Sequence, residues 1–218
     1  MKKTLCFALA VALAVMPSGA SAEGVTDPTF SRMLEIDAEI DDLIAERSEL
    51  ARQMRESISY DVNYKTTYPA GTYKVGSDIP AGEYVFFATD NFPGSFKETT
   101  DSEGQDKVGS EYFLYDMIYT LTEGNYVEIE NSYAVPSNQV DELKTQTGNG
   151  AFKVGTHIPA GEYNLITTDA ETDGHYRIYS SSLLTSDNKI DGDSFSSITQ
   201  IAVHDGEYLI ITGCMFAE

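Results

Sequence analysis

Three histidines, His157, His175 and His204, are the side chains best suited to proton transfer or metal ligation near neutral pH. None lies in an H-E-x-x-H pair, and no Walker-type loop, C-x-x-C or G-x-S-x-G occurs anywhere in the chain. His204-Asp205 precedes a glycine and reads as a turn histidine. No catalytic, cofactor-binding or metal-ligating set is therefore assigned to the histidines. Oxygen donors cluster more densely, in Asp187-Asn188-Lys189-Ile190-Asp191-Gly192-Asp193 and in Asp169-Ala170-Glu171-Thr172-Asp173-Gly174. Ca²⁺ takes six to eight such ligands, which makes Asp169, Asp173, Asp187, Asp191 and Asp193 weak candidates for it. Neither segment follows the EF-hand pattern, and polar turns in an acidic chain have the same composition. Tyr112, Tyr115 and Tyr119 form the densest aromatic run. They offer a platform for a sugar or a protein partner, although the absence of Trp weakens the sugar case. Glu83 and Glu162 are the acids to expect in a carboxylate-dependent carbohydrate-active hydrolase. Each follows a turn at a strand start, where a solvated edge role is the simpler reading.

These residues sit in a chain that states one motif twice. Lys74-Val75-Gly76-Ser77-Asp78-Ile79-Pro80-Ala81-Gly82-Glu83-Tyr84 returns as Lys153-Val154-Gly155-Thr156-His157-Ile158-Pro159-Ala160-Gly161-Glu162-Tyr163, identical at nine of eleven positions at an offset of 79. The copies also agree further on, where Glu123-Gly124-Asn125-Tyr126 matches Asp205-Gly206-Glu207-Tyr208 at an offset of 82. Ser95-Phe96-Lys97 matches His175-Tyr176-Arg177, and Phe113 matches Phe195. Internal repetition of this kind means two copies of one structural unit. All three histidines lie in the second copy, so a duplicated histidine site is excluded.

The repeated segment reads as strand, turn, strand. Gly71 to Val75 and Gly82 to Ala88 are β-rich, with Tyr84, Phe86 and Ala88 on one face. Ile79-Pro80-Ala81-Gly82 has the chemistry of a type I turn. An acid-Gly pair before a β run marks a second tight turn. Each unit is expected to hold six or so strands. So small a unit is marginal alone, and the copies are expected to pack on each other.

Ahead of the repeats, apolar residues recur at Met33, Ile36, Ile40, Leu43, Leu50 and Met54, with Arg47 in the missing seam position. Steps of three and four over about four heptads predict a coiled-coil helix. Asp27-Pro28 supplies its start. Like-charged pairs such as Glu35/Glu39 and Asp37/Asp41 weaken it alone. The seam therefore calls for a partner, with self-association into a homo-oligomer favoured over docking on the chain's own β units.

Lys2 and Lys3, the apolar run Leu5–Met16 and Ala20-Ser21-Ala22 have the form of a secretory signal, with Glu23 expected to begin the mature chain. Cys6 lies at the start of the apolar run, where a lipid-attachment cysteine would not be. Cys214 then remains as a lone thiol, read as a small buried hydrophobe. The chain carries 14 basic and 35 acidic residues, and loss of Lys2 and Lys3 takes the formal net charge from −21 to −23. Such a charge argues against nucleic acid and anionic membrane surfaces, which recruit basic patches.

Val-Gly-x-Asp-Ile-Pro-Ala-Gly-Glu-Tyr, followed by Asp-Gly-x-Tyr, resembles a repeat of small exported and lipid-anchored bacterial proteins, chiefly Gram-positive. The resemblance covers Gly71–Tyr133 and Ala151–Phe216. It implies an all-β extracellular domain without assigned catalytic residues. This chain departs from it in carrying His157 where Asp is usual, and in lacking the lipid-attachment cysteine.

Together these features predict a mainly β protein, with two tandem small β-sandwich or jelly-roll-like units behind one long coiled-coil-type helix. The expected order is a signal peptide at 1–22, the helix at 23–59, repeat one at 60–135, a linker at 136–150 and repeat two at 151–218. The expected role is that of a secreted or envelope-located, non-enzymatic protein binding a glycan or a surface protein. No cofactor and no membrane insertion after signal removal are expected. A carbohydrate-active hydrolase and a purely structural envelope component stand as the alternatives.

Overall fold

The computed structural model describes residues 28–57, 64–89, 93–140, 143, 148–169 and 171–217, except the side chains of 44, 47, 48 and 51–57. The expected signal segment, Cys6 and the Asp27 cap lie outside the described residues, as do the side chains of the seam positions Arg47 and Met54. The fold is mainly β, in four antiparallel sheets, with one helix near the N-terminus.

Helix α1 spans Pro28–Ser57. Its surface carries ion pairs from Arg32 to Glu35 at 2.9 Å and to Glu39 at 3.6 Å. The seam residues Met33, Ile36, Ile40, Leu43 and Leu50 are exposed in the single chain. No helix among the described residues is long and apolar enough to cross a membrane.

Repeat one contains β1 Gly71–Lys74, β2 Gly82–Ala88, β3 Gly94–Thr99, β4 Lys107–Phe113, β5 Asp116–Leu121, β6 Tyr126–Glu130 and β7 Ser132–Pro136. Repeat two contains β8 Gly150–Lys153, β9 Gly161–Thr167, β10 Gly174–Tyr179, β11 Lys189–Phe195, β12 Ile198–Val203, β13 Tyr208–Thr212 and β14 Cys214–Phe216. Strand orders β1-β6-β3-β4 and β5-β2-β7 in the first become β8-β13-β10-β11 and β12-β9-β14 in the second. The topology is the same strand for strand. Among the described residues each repeat has seven strands rather than the expected six or so. The added β7 and β14 follow one-residue corners, Asn131 (φ 47) and Gly213 (φ 67). Those corners leave no turn-rich gap to announce a new strand.

The two sheets of repeat one face each other across an aromatic core. Phe86 of β2 stacks on Phe96 of β3 at 4.7 Å, and Phe96 meets Tyr119 of β5 at 4.4 Å. Tyr84 and Phe86 therefore point inward, as the period-two pattern predicts. In repeat two Phe216 packs against Phe152 at 5.4 Å and Tyr163 at 5.1 Å, as Tyr68 packs on their counterparts Tyr73 and Tyr84 in repeat one.

Backbone geometry accounts for the repeated motif. Gly76 and Gly155 take positive φ (96° and 86°), which glycine adopts without steric cost. Their amides donate to Ile79 O and Ile158 O. Val75 N donates to Asn125 O while Val75 O accepts from Gly124 N, and Val154 N and O do the same with Glu207 O and Gly206 N. The motif and the distant acid-Gly turn thus bond to each other in both copies. Tyr84 Oη donates to Pro80 O, and Tyr163 Oη to Pro159 O, each at 2.8 Å. The tight turn itself falls at Gly76–Asp78 and Gly155–His157, not at the expected Ile79–Gly82. Lys74 O already accepts from Asp78 N and Ile79 N, and Val75 and Ile79 bridge in parallel, so the loop has closed before the chain reaches Pro80.

Candidate functional site: the seam between the repeats

Alternation along β2 puts Glu83, Val85 and Phe87 on the face turned away from the aromatic core. Val85 and Phe87 are nevertheless fully buried. Phe87 stacks on Tyr64 at 5.6 Å and contacts Tyr133 at 5.4 Å. Glu83 faces the second repeat. Its Oε1 accepts from Lys153 Nζ at 2.9 Å, and its Oε2 accepts from Ser182 Oγ at 3.0 Å and from Tyr208 Oη. Burial alone would raise the Glu83 carboxyl, but donors from Tyr208, Lys153 and Ser137 outweigh it and hold it below its ordinary value. Burial likewise opposes the Lys153 ammonium, and the bonds to Glu83 and Tyr208 raise it on balance. Glu83 is thus a tethered carboxylate at the joint, not the solvated edge acid expected from sequence. Its counterpart Glu162 is exposed on β9. The two equivalent acids occupy different surroundings, one in the seam and one in solvent.

Further bonds close the seam. Arg177 on β10 holds Glu111 on β4 in a two-pronged pair at 2.7 and 3.0 Å. Thr120 N donates to Ser182 O at 3.2 Å. The buried Asp116 carboxylate accepts from Ala151 N at 2.9 Å. The copies pack on each other as expected. The linker joins them: Val140 and Leu143 are buried, so it is more than a polar spacer.

His157 lies under that linker. Its Nδ1 accepts from Lys153 N at 3.0 Å, and its Nε2 lies 3.4 Å from Val140 O. His175 is exposed on β10. His204 is exposed in its turn, with Nδ1 3.3 Å from Glu207 Oε1. The three histidines sit on separate elements.

The calcium candidates do not converge either. Asp169 Oδ1 accepts from Glu171 N in a local turn. Asp191 accepts from Tyr176 Oη and from its neighbour Gly192 N, and Asp193 from Ser194 N. Asp173 and Asp187 are exposed. Among the described residues, no group of three or more His, Cys, Asp or Glu side chains is placed to hold a metal. Cys214 is buried, as expected, with its thiol pushed up to about 11 by that burial.

The tyrosine platform is dispersed by the break between β4 and β5. Tyr119 is buried, and its hydroxyl donates to the fully buried Glu98 at 2.7 Å. Burial and that carboxylate raise the phenol far above its ordinary range. Tyr119 therefore cannot meet a ligand, which corrects the expectation. Tyr115 is half-buried. Tyr112 alone stands out, at 79% exposure. It lines a cleft of about 200 Å³ between the repeats, with Pro93, Leu114, Asp116, Asn149, Ile210 and Thr212. The walls are mainly apolar, with Asp116, Asn149 and Thr212 among the lining residues. Sequence reasoning missed this cleft because its walls come from both copies. Only the Tyr112 side of it was signalled.

The chain matches no protein-family model, and no curated protein sequence matches it.

Proposed function

We propose that this chain is an exported, non-enzymatic interaction protein. Its helix gathers chains as a coiled coil, and paired β-sandwich modules present the cleft at their seam to a neutral glycan or a surface protein. One observation carries this reading: Tyr112, the most exposed large aromatic among the described residues of the repeats, stands with the half-exposed Leu114 at the edge of a mostly apolar cleft. An aromatic ring left in water beside such a cleft favours a ligand with an apolar face. The net charge, −21 for the whole sequence and −23 without Lys2 and Lys3, favours neutral or basic ligands over anionic ones. The exposed seam of α1 supports the oligomer, because an apolar stripe of that length is stable only when covered. Several copies on one coil multiply a weak contact into avidity.

Two measurements test the proposal. Glycan and cell-wall arrays probed with the chain from Glu23 should give hits that Tyr112→Ala weakens by on the order of tenfold or more. Light scattering at low protein concentration and high salt should show an oligomer that becomes a monomer when residues 23–59 are removed. A full-length monomer, or binding indifferent to Tyr112, would overturn the corresponding half.

A further inference from the structure

The second repeat repeats the first strand for strand, but only one of the two outer β faces is covered. In repeat one the outer face of β5-β2-β7 carries Glu83, Val85 and Phe87: repeat two bonds to Glu83, Tyr64 and Tyr133 pack on Phe87, and Val85 and Phe87 are fully buried. In repeat two the same face carries Glu162, Asn164 and Ile166 on β9, and all three are exposed. Ile198 and Met215 flank Ile166 in register. Ile198 is 60% exposed. The internal seam shows what covers such a face in this fold: the outer face of a four-stranded sheet.

One four-stranded sheet has no such neighbour described, that of repeat one, and its charges match. Lys153 reaches Glu83 from above the Tyr208 ring, with Nζ 5.5 Å from the ring centre. The equivalent Lys74 stands above the equivalent Tyr126 at the same 5.5 Å, and it is exposed. Its matching acid would be Glu162. The second ion pair of the seam, Arg177 with Glu111, corresponds to Lys97 on β3 and Asp193 on β11. Both charged pairs thus keep their signs at the two ends of the repeat pair. The centre does not keep its character: Val85, Ile118 and Ile210 become Asn164, Gln200 and Glu128.

We propose that the outer face of β12-β9-β14 is a docking surface for the β1-β6-β3-β4 sheet of a second copy of this chain. The contact copies the internal seam in trans. It sets Lys74 of one chain on Glu162 of the next, and Lys97 near Asp193. It joins unlike faces, so it does not close on itself and extends head to tail. With amides and carboxylates at its centre it is wet, charge-steered and reversible, unlike the apolar seam it mimics. It is independent of the helix and of any ligand at the cleft.

Charge reversal tests it. Sedimentation velocity over a concentration series is run on the chain from Glu23, on Lys74→Glu and on Glu162→Lys. The wild type should show concentration-dependent growth beyond the helix oligomer, suppressed by salt. Each single reversal sets like charges together and should weaken that growth on the order of tenfold. An equimolar mixture of the two variants restores opposite charges at every junction and should recover it. Both positions are exposed, and recovery in the mixture shows that each variant is folded. Wild type that stops at the helix oligomer, single variants that associate like wild type, or a mixture that fails to recover would each overturn the proposal.

Discussion

His157 stands where the first repeat has Asp78, and the two unlike side chains make one bond. Asp78 Oδ2 accepts from Lys74 N at 2.9 Å, and His157 Nδ1 accepts from Lys153 N at 3.0 Å. An imidazole can accept at Nδ1 only while that nitrogen is unprotonated. Burial, the first cause, lowers the His157 pKa below 6.5, and Lys153 lowers it further; the Val140 carbonyl and Glu83 act the other way. A depressed value means that the folded state favours the neutral ring. That stability is complete above 6.5 and is lost as pH falls through the folded value. Thermal melts should drop across this window, and His157→Asn, which keeps an acceptor without titrating, should flatten the drop. Equal pH dependence in both proteins would refute the assignment. Tethering of Glu83 adds a separate loss lower down, below its ordinary 4.5, as its carboxylate protonates. From sequence, His157 read as a departure from the repeat. The bond that makes it equivalent depends on the turn at Gly155–His157, which the Pro-Ala-Gly chemistry had placed three residues too late. Glu83 and Glu162 looked interchangeable for a related reason: a sequence repeat carries no record of which copy's face is covered.

At the level of elements, both repeats use a glycine to admit an aromatic ring. Gly94 opens β3 directly opposite Phe113 at the end of β4, and Gly174 opens β10 opposite Phe195. A Cβ at Gly94 would lie 2.6 Å from the Phe113 ring, and one at Gly174 2.7 Å from Phe195. Gly161, by contrast, has nothing within 4 Å of a Cβ. Gly94→Ala should therefore cost about 1–3 kcal/mol by overpacking, while Gly161→Ala stays within roughly 0.5 kcal/mol. Urea unfolding midpoints decide between them, and equal midpoints would show that the ring moves aside freely. β2, β9 and the acid-Gly turns were legible because their period-two patterns and turn residues are local. β7 and β14 were not, since a one-residue corner at Asn131 or Gly213 leaves the β pattern unbroken. The pairing of Phe113 with Phe195 was visible as a repeat match, but the glycine each ring crosses lies on another strand.

At the scale of the molecule, the two repeats share a topology and differ in how their faces are finished. Val85 and Ile118 give the first an apolar outer face, and Asn164, Ile166 and Gln200 give the second a mixed one. Separated fragments should behave accordingly. Residues 60–136 alone would leave a contiguous apolar patch in water and should aggregate, whereas residues 148–218 should stay in solution at the same concentration. Centrifugation and light scattering on both fragments check this, and a soluble, monomeric 60–136 fragment would contradict it. The asymmetry also sets a clock on biogenesis. The half that needs cover is made first, and at ~5–20 residues per second its cover follows it out of the ribosome only after roughly 4–16 s. Glu83 and the apolar residues beside it, Val85 and Ile118, are made that long before the repeat-two groups that bond to Glu83. A holding chaperone, or a short delay before folding, is therefore a requirement of the order in which the two copies are translated.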